Sequence, residues 1–415
     1  MNPNFKLTAD DIKIRQENVL EMFYSGIKSQ ATKETLQRML RCFLVDVCAD
    51  LLQGDFEQRA QQFVVLASED QTKATNIIIA YVKKLRERTA LDRSDPHYMN
   101  PSYLPNKIKP IKKLLTMNDV GLAWKRIYTF YPEKNNTHQG RGYTKKEIRK
   151  LLEYSGTIDT DFIILASSSG GMRLGAWNDQ RWANIFPIYE INGKYKIELN
   201  DDEQGNVVCA GMIIYKNTPE QYTALISLEA WKKLQEYKKV WTKKMSRLPI
   251  DSDHLILDRT SKKKPTSSKT IKKRIETLLL KSGLRGPLTE GKRRHQVPTT
   301  HGFRRYWDKI MMQTESTKGT LSALVIKERL LGHYGLVKTD KNYFWTDILE
   351  HVPEYLEAMP ELMINEEYSL NEKLKKKTID SFRLEIELKE KDVLLQRMAE
   401  LEAKVSRMQN YSIKK

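Results

Sequence analysis

The stretch HGFRRYW, residues 301–307, sets His301 and Arg304 three positions apart, the spacing that puts two side chains on one face of a helix. Taken alone it describes an ordinary solvated helix face. Its weight comes from the residues arranged around it in the chain. Before it stand Arg173 in SSGGMRLGAW (168–177) and Lys216 at the end of GMIIYK (211–216). After it come His333 in LLGHYG (330–335) and, ten residues further on, Tyr343 in KTDKNYF (338–344). Each piece is weak by itself, since a lone LGH tripeptide occurs by chance and most of the nineteen tyrosines must be structural. The joint order and spacing is what carries information.

Cleaving a phosphodiester without a metal requires a nucleophile, cations to hold the extra negative charge on phosphorus, and an acid for the leaving oxygen. The set offers a candidate for each task. Arg173 and Arg304 have planar forks that grip two phosphate oxygens and stay charged at any working pH. A phenol with a pKa of ~10 is a poor nucleophile at neutral pH, so Tyr343 needs positive surroundings and a proton acceptor, for which His301 is the first candidate. Tyr334 is the competing nucleophile, but it adjoins His333 and leaves no room for an intervening turn. The sequence contains no HExxH, no CxxC and no Walker-type loop, so neither a metal, nor ATP, nor another cofactor is expected. Cys42, Cys48 and Cys209 form an odd, sparse set that argues against a disulfide framework.

An arginine in a G-x-R motif, a hairpin lysine, an H-x-x-R box, an L-G-H box and a tyrosine about ten residues later, in this order, resemble the tyrosine recombinase (phage integrase) family. The resemblance covers residues 143–350, about half of the chain. HGFRRYW and IIYKNTPEQYTALIS (213–227) look most like archaeal integrases. The resemblance implies a site-specific recombinase that cleaves and rejoins DNA through a covalent 3′-phosphotyrosyl bond to Tyr343, integrating or excising a mobile element. Lys216 would then protonate the departing 5′ oxygen and His333 would hydrogen-bond the phosphate. Lys194 and Lys196 on the neighbouring strand are alternatives to Lys216, which is preferred because the turn NTPEQ follows it directly. The family's assembly would be two protomers on each recombination site and a homo-tetramer on DNA, with a monomer or dimer in solution. In one respect the chain departs from many relatives. Where they have an acid three positions after the first arginine it has Ala176, so either another carboxylate, with Asp179 the candidate, replaces it or Arg173 is held less firmly. A type IB topoisomerase shares the same chemistry, and a non-catalytic DNA-binding protein descended from a recombinase is the reading from another class.

The charge also points to a polyanion. The formal net charge is +18, and residues 261–305 hold eight Lys and six Arg against two Glu, which is +12 of it. Neutralising phosphates releases counterions and gives a large, salt-dependent affinity. Lys262, Lys263, Lys264, Lys272, Lys273, Arg274, Lys292, Arg293 and Arg294 are the residues expected to meet DNA phosphates. No run approaches the ~20 apolar residues of a membrane span, and no signal-peptide pattern opens the chain, so an intracellular, cytoplasmic protein is expected.

The expected fold class is mainly α with a small antiparallel β-sheet. Residues 1–133 read as a helical core-binding domain, 134–142 (around KNNTHQGRG) as a linker, 143–370 as an α+β catalytic domain, and 371–415 as a C-terminal helix. In the first domain helices are predicted after Thr8, over 33–52, after a capping box at Ser68 and Gln71, and over 118–131, with the four prolines of 95–110 marking an extended connection. In the second, Thr144 caps a helix, a further helix leads to Arg173, and strands cover 195–199, 207–215 and YTALIS. Helices follow over 229–237 and 268–282, and from His301 to beyond Tyr343. In the tail, Leu394, Met398, Leu401, Val405 and Met408 step by 4, 3, 4 and 3, which suits either a short coiled coil or a helix packed on its own domain.

Overall fold

In a computed structural model, the structure describes residues 18–133, 140–200, 203–259, 261, 264–288, 295–314, 319–333 and 348–412. The chain divides into two compact units, one within residues 18–133 and the other from residue 140 on.

In the first unit Asn18 caps helix α1 (Val19–Tyr24). Helix α2 (Gln30–Arg41) runs on into a π-helical turn through Val47, where one unbroken helix was expected. Asp55 and Gln58 form a capping box at the start of α3 (Phe56–Glu69). Asp70 caps α4 (Gln71–Ala90), so the predicted cap at Ser68 belongs to the last turn of α3 instead. The expected extended connection is corrected by α5 (Leu104–Met117). Pro105 stands in its first turn, where its missing N–H would have had no partner. Pro110 lies inside the helix, yet Leu104, Ile108, Ile111 and Leu115 recur at helical spacing and are all buried. Burying that face, at about 1.5–3 kcal/mol per large side chain, outweighs the hydrogen bond that Pro110 forgoes. The helix expected over 118–131 is also corrected, because Asn118 caps the end of α5 and only the short α6 (Trp124–Tyr128) follows. Phe23, Phe43, Phe63, Ile78 and Leu104 lie in this unit's core.

The second unit begins with α7 (Lys145–Ser155), which opens on a capping box of Thr144 and Glu147 and closes at Gly156. Helix α8 (Ile158–Gly170) is buried on every side in its second half and stops at Gly171. A four-stranded antiparallel sheet follows, in spatial order β2-β1-β3-β4. Its strands are β1 (Ile185–Ile191), β2 (Lys194–Lys196), β3 (Asn206–Ile214) and β4 (Tyr222–Ser227). Strand β1 was not foreseen, because Pro187 reads as a strand breaker. It is tolerated because short β2 pairs only with Tyr189–Ile191, which leaves one edge of β1 open at Pro187. Ser227 then caps α9 (Leu228–Met245) directly.

Helix α10 (Ser268–Lys281) precedes α11 (His301–Gln313). Of the helices expected from His301 to beyond Tyr343, α11 ends at Gln313 and α12 (Thr320–Leu330) starts behind Gly319, while residues 334–347 lie outside the described residues. Helix α13 (Val352–Leu362) joins the core of Phe162, Trp241, Phe303, Trp307 and Tyr355. The last element, α14 (Glu366–Ser412), is 47 residues long. Along it Leu394, Met398 and Leu401 are exposed, so they do not pack on the chain's own unit. Among the described residues no helix is long and apolar enough to cross a membrane.

Candidate active site

Helix α8 ends on two glycines, and the turn they make places the first arginine. Gly171 adopts a left-handed φ of 60° with the Trp307 ring so close that a Cβ would lie 2.8 Å from it. The chain then turns outward, leaving Arg173 exposed at the head of a short 3-10 turn (Leu174–Trp177). Across that turn Tyr215 of the β3–β4 connection approaches Gly175, with its hydroxyl 3.0 Å from where a Cβ would stand.

The same glycine turn anchors the second arginine. Arg304 is only 5% exposed, and its Nη1 donates to the Gly171 carbonyl at 2.9 Å. Its Nη2 donates to the Leu331 carbonyl at 2.9 Å and lies 2.9 Å from Nε2 of His333. Nδ1 of His333 is in turn 2.8 Å from the Glu328 carboxylate. The LGH turn reaches this position because Gly332, at φ 66°, lies against Tyr222 of β4, where a Cβ would meet the ring at 2.4 Å. The Tyr222 hydroxyl faces the Arg304 guanidinium without completing a hydrogen bond of ordinary geometry.

Four of the six candidate residues therefore come together. Arg173, Arg304, His301 and His333 converge from the end of α8, the first turn of α11 and the end of α12. Burial, together with the neighbouring Arg173 charge, makes Arg304 less basic than a free arginine, though it stays charged. His301 is held below the usual imidazole range by burial first, and then by Arg305, Arg304 and Arg173. Burial raises the Tyr215 and Tyr222 phenols, while both arginines oppose the rise. Among the described residues no carboxylate forms an ion pair with Arg304.

Lys216 sits one residue past Tyr215 in the β3–β4 turn, exposed between two left-handed residues, Tyr215 and Asn217. Of the alternatives, Lys196 is tied to Glu203, whereas Lys194 is exposed at the start of β2. Tyr343 and its rival Tyr334 lie outside the described residues.

Ala176 is buried in the core, and Asp179 is exposed, with its charge felt at His254. Among the described residues no bond joins Asp179 to Arg173. An acid bonded to the site residue His333 is Glu328, which sequence reasoning missed because nothing in ERLLGH marks it. Its only signal is its place five residues before His333.

The basic segment divides. Lys264 and Lys273 are exposed, and Lys272 makes an exposed pair with Glu276 at 3.6 Å. Arg274 instead turns inward to Asp159 at 2.7 Å, with both side chains nearly buried, and so ties α10 to the first turn of α8. Arg259 adds a second contact to the same carboxylate. Despite burial, the Thr157 hydroxyl and these two arginines keep Asp159 below the usual carboxylate range. Lys262, Lys263, Lys292, Arg293 and Arg294 lie outside the described residues.

Comparison with family models and with curated proteins returns no match. Among solved structures the chain is similar to a XerA recombinase at 16% identity, covering 78% of this chain and 97% of that one, with a TM-score of 0.33. It is similar to a lambda integrase dimer bound to a COC′ core site at 12% identity, covering 75% and 97%, with a TM-score of 0.41. A third match is the Tn1549 transposon integrase in complex with transposon right end DNA, at 12% identity over 82% and 98%, with a TM-score of 0.44. The solved structures that this chain resembles are thus recombinases and integrases.

Proposed function

We propose that the chain is a site-specific DNA recombinase that cuts and rejoins strands through Tyr343. The observation that carries this reading is Arg304: a buried guanidinium, fixed by carbonyls and an imidazole and, among the described residues, ion-paired to no acid, next to a second arginine and a histidine of lowered pKa. A buried cation left without a counter-charge is costly, and an anionic ligand removes that cost. A phosphodiester is the anion whose transition state uses all the neighbouring groups.

In the proposed reaction the Tyr343 oxygen attacks phosphorus, and its proton passes to His301, which is neutral at pH 7. The bond from phosphorus to the 5′ oxygen breaks, and Lys216 gives that oxygen a proton. Arg173 and Arg304 hold the charge that builds on the phosphate oxygens. The bond energy is kept in the phosphotyrosine, so the reverse attack by a 5′ hydroxyl reseals a strand. The two units would bind duplex DNA as core-binding and catalytic domains, with Lys264, Lys272 and Lys273 contacting phosphates. Four copies would assemble on paired attachment sites of a mobile element, inside the cell on the nucleoid. The exposed heptad positions of α14 would link protomers.

The test is a suicide-substrate assay with nicked DNA from the attachment region of the chain's own element. The wild type should give a covalent adduct on denaturing gels, and Tyr343→Phe should give none. Adducts on arbitrary sequence would favour a topoisomerase. Tight binding with no adduct on a proven site would leave a non-catalytic DNA-binding protein.

A further inference from the structure

On the reading that Arg304 grips the scissile phosphate, we propose that Glu328 is a positioning residue of the site: its carboxylate holds the proton of His333 on Nδ1, so that Nε2 accepts from Arg304 and fixes that guanidinium for the phosphate. The argument begins from donor inventory. An arginine has N–H donors and no acceptor, so the 2.9 Å contact between Arg304 Nη2 and His333 Nε2 is a hydrogen bond only if Nε2 offers its lone pair. In the neutral imidazole the proton then belongs on Nδ1, where the Glu328 carboxylate accepts it at 2.8 Å.

Glu328 fixes the ring and the backbone together, because its carbonyl also accepts the His333 N–H at 2.8 Å. Gly332 gives the turn its left-handed bend between the two residues. Lys327 Nζ lies 3.8 Å from the second carboxylate oxygen of Glu328 and is itself paired with Asp308, Arg304 meets the His333 ring from α11, and Tyr222 lies against Gly332. Nothing but Glu328 touches Nδ1 among the described contacts. Without it the ring is free to carry its proton on Nε2, and two donors would then oppose each other at Arg304.

In this tautomer His333 orients Arg304 by accepting from it, while Nδ1–H stays on Glu328. This is a carboxylate acting through a histidine, with no contact of its own to the reacting atoms.

Two measurements test it. The first needs no DNA: nitrogen chemical shifts of the His333 ring, assigned with the His333→Ala variant, should report a proton on Nδ1 in the wild type and a mixture of tautomers in Glu328→Ala. A wild-type ring protonated on Nε2 overturns the proposal, whatever the protein's activity. The second is the rate of adduct formation on the suicide substrate. Glu328→Ala should slow it roughly 10- to 100-fold, the range for loss of a partner that orients a histidine, with DNA affinity and melting temperature unchanged. Glu328→Gln, whose amide oxygen still accepts from Nδ1, should recover part of the rate. In a His333→Ala background Glu328→Ala should cost nothing further. An undiminished rate in Glu328→Ala, or an equal loss in the His333→Ala background, overturns the role. If the wild type forms no adduct at all, the recombinase reading fails, and the tautomer alone decides whether Glu328 sets His333.

Discussion

At the scale of single residues, the guanidinium of Arg304 is held by three acceptors that a lysine could not reach together: the Gly171 and Leu331 carbonyls and Nε2 of His333. Arg304→Lys keeps the charge but loses the fork, and adduct formation should fall by at least about 100-fold, with little change in DNA affinity. His301 offers a test by pH. Its pKa is depressed, by burial and then by Arg305, Arg304 and Arg173, so the ring is neutral at pH 7 and able to take the Tyr343 proton. The adduct rate should therefore hold as pH falls past the ordinary value of ~6.5 and drop only at the lower folded pKa. Arg305→Ala removes one of the depressing charges and should move that acid limb to higher pH, which a rate profile or an imidazole titration would show. The same depressed pKa has a sign for stability. The unfolded chain takes up the proton first, so this contribution is lost as pH falls below ~6.5 toward the folded value. These residue types and their order are legible in the sequence because each suits one chemical job of the proposed reaction. Glu328 was not, because a carboxylate that acts by contact with a folded turn leaves no spacing rule behind it. Asp179, the candidate to hold Arg173 where Ala176 stands, is near it in sequence but exposed, and no bond joins the two among the described residues.

At the scale of elements, helix α10 shows how charge counted along a sequence differs from charge presented at a surface. Lys272, Lys273 and Arg274 are consecutive, yet only the first two face solvent while Arg274 is spent on Asp159. Lys273→Ala should lower the slope of log affinity for DNA against log salt by about 1, and Arg274→Ala should leave that slope unchanged while destabilising the fold. A salt titration of both variants separates the two roles. Helical periodicity was readable because it is local, and Thr144 was read as the cap that opens α7, whereas the box read at Ser68 and Gln71 gave way to Asp70. What local reading missed were the places where packing overrules a breaker. Pro105 and Pro110 fit within α5 because its apolar stripe is continuous, and Pro187 fits within β1 because β2 is too short to need its N–H.

At the scale of the whole molecule, the long α14 adds Tyr368 and Ser369 to the core in its first turn and only length beyond it. Leu374, Phe382, Leu388, Leu394 and Met398 are each exposed, so a chain ending after Lys391 should melt at the wild-type temperature. If α14 links protomers, the same truncation should remove self-association in sedimentation, whereas a lowered melting temperature at every concentration would mean that the tail braces its own unit. Helix α8 is the opposite case. From Phe162 to Gly170 every residue is buried, enclosed by α7, α9, α11 and the sheet, with Ser169 accepting from the Ser227 N–H and its carbonyl accepting from Tyr355. No local fraying can wet such a segment, so its amide hydrogens should exchange with solvent deuterium only when the entire unit comes apart, while those of α14 trade within the shortest labelling times. The arginines of the site hang from the end of that slowest segment, and the timescale on which they lose their places is the lifetime of the unit itself.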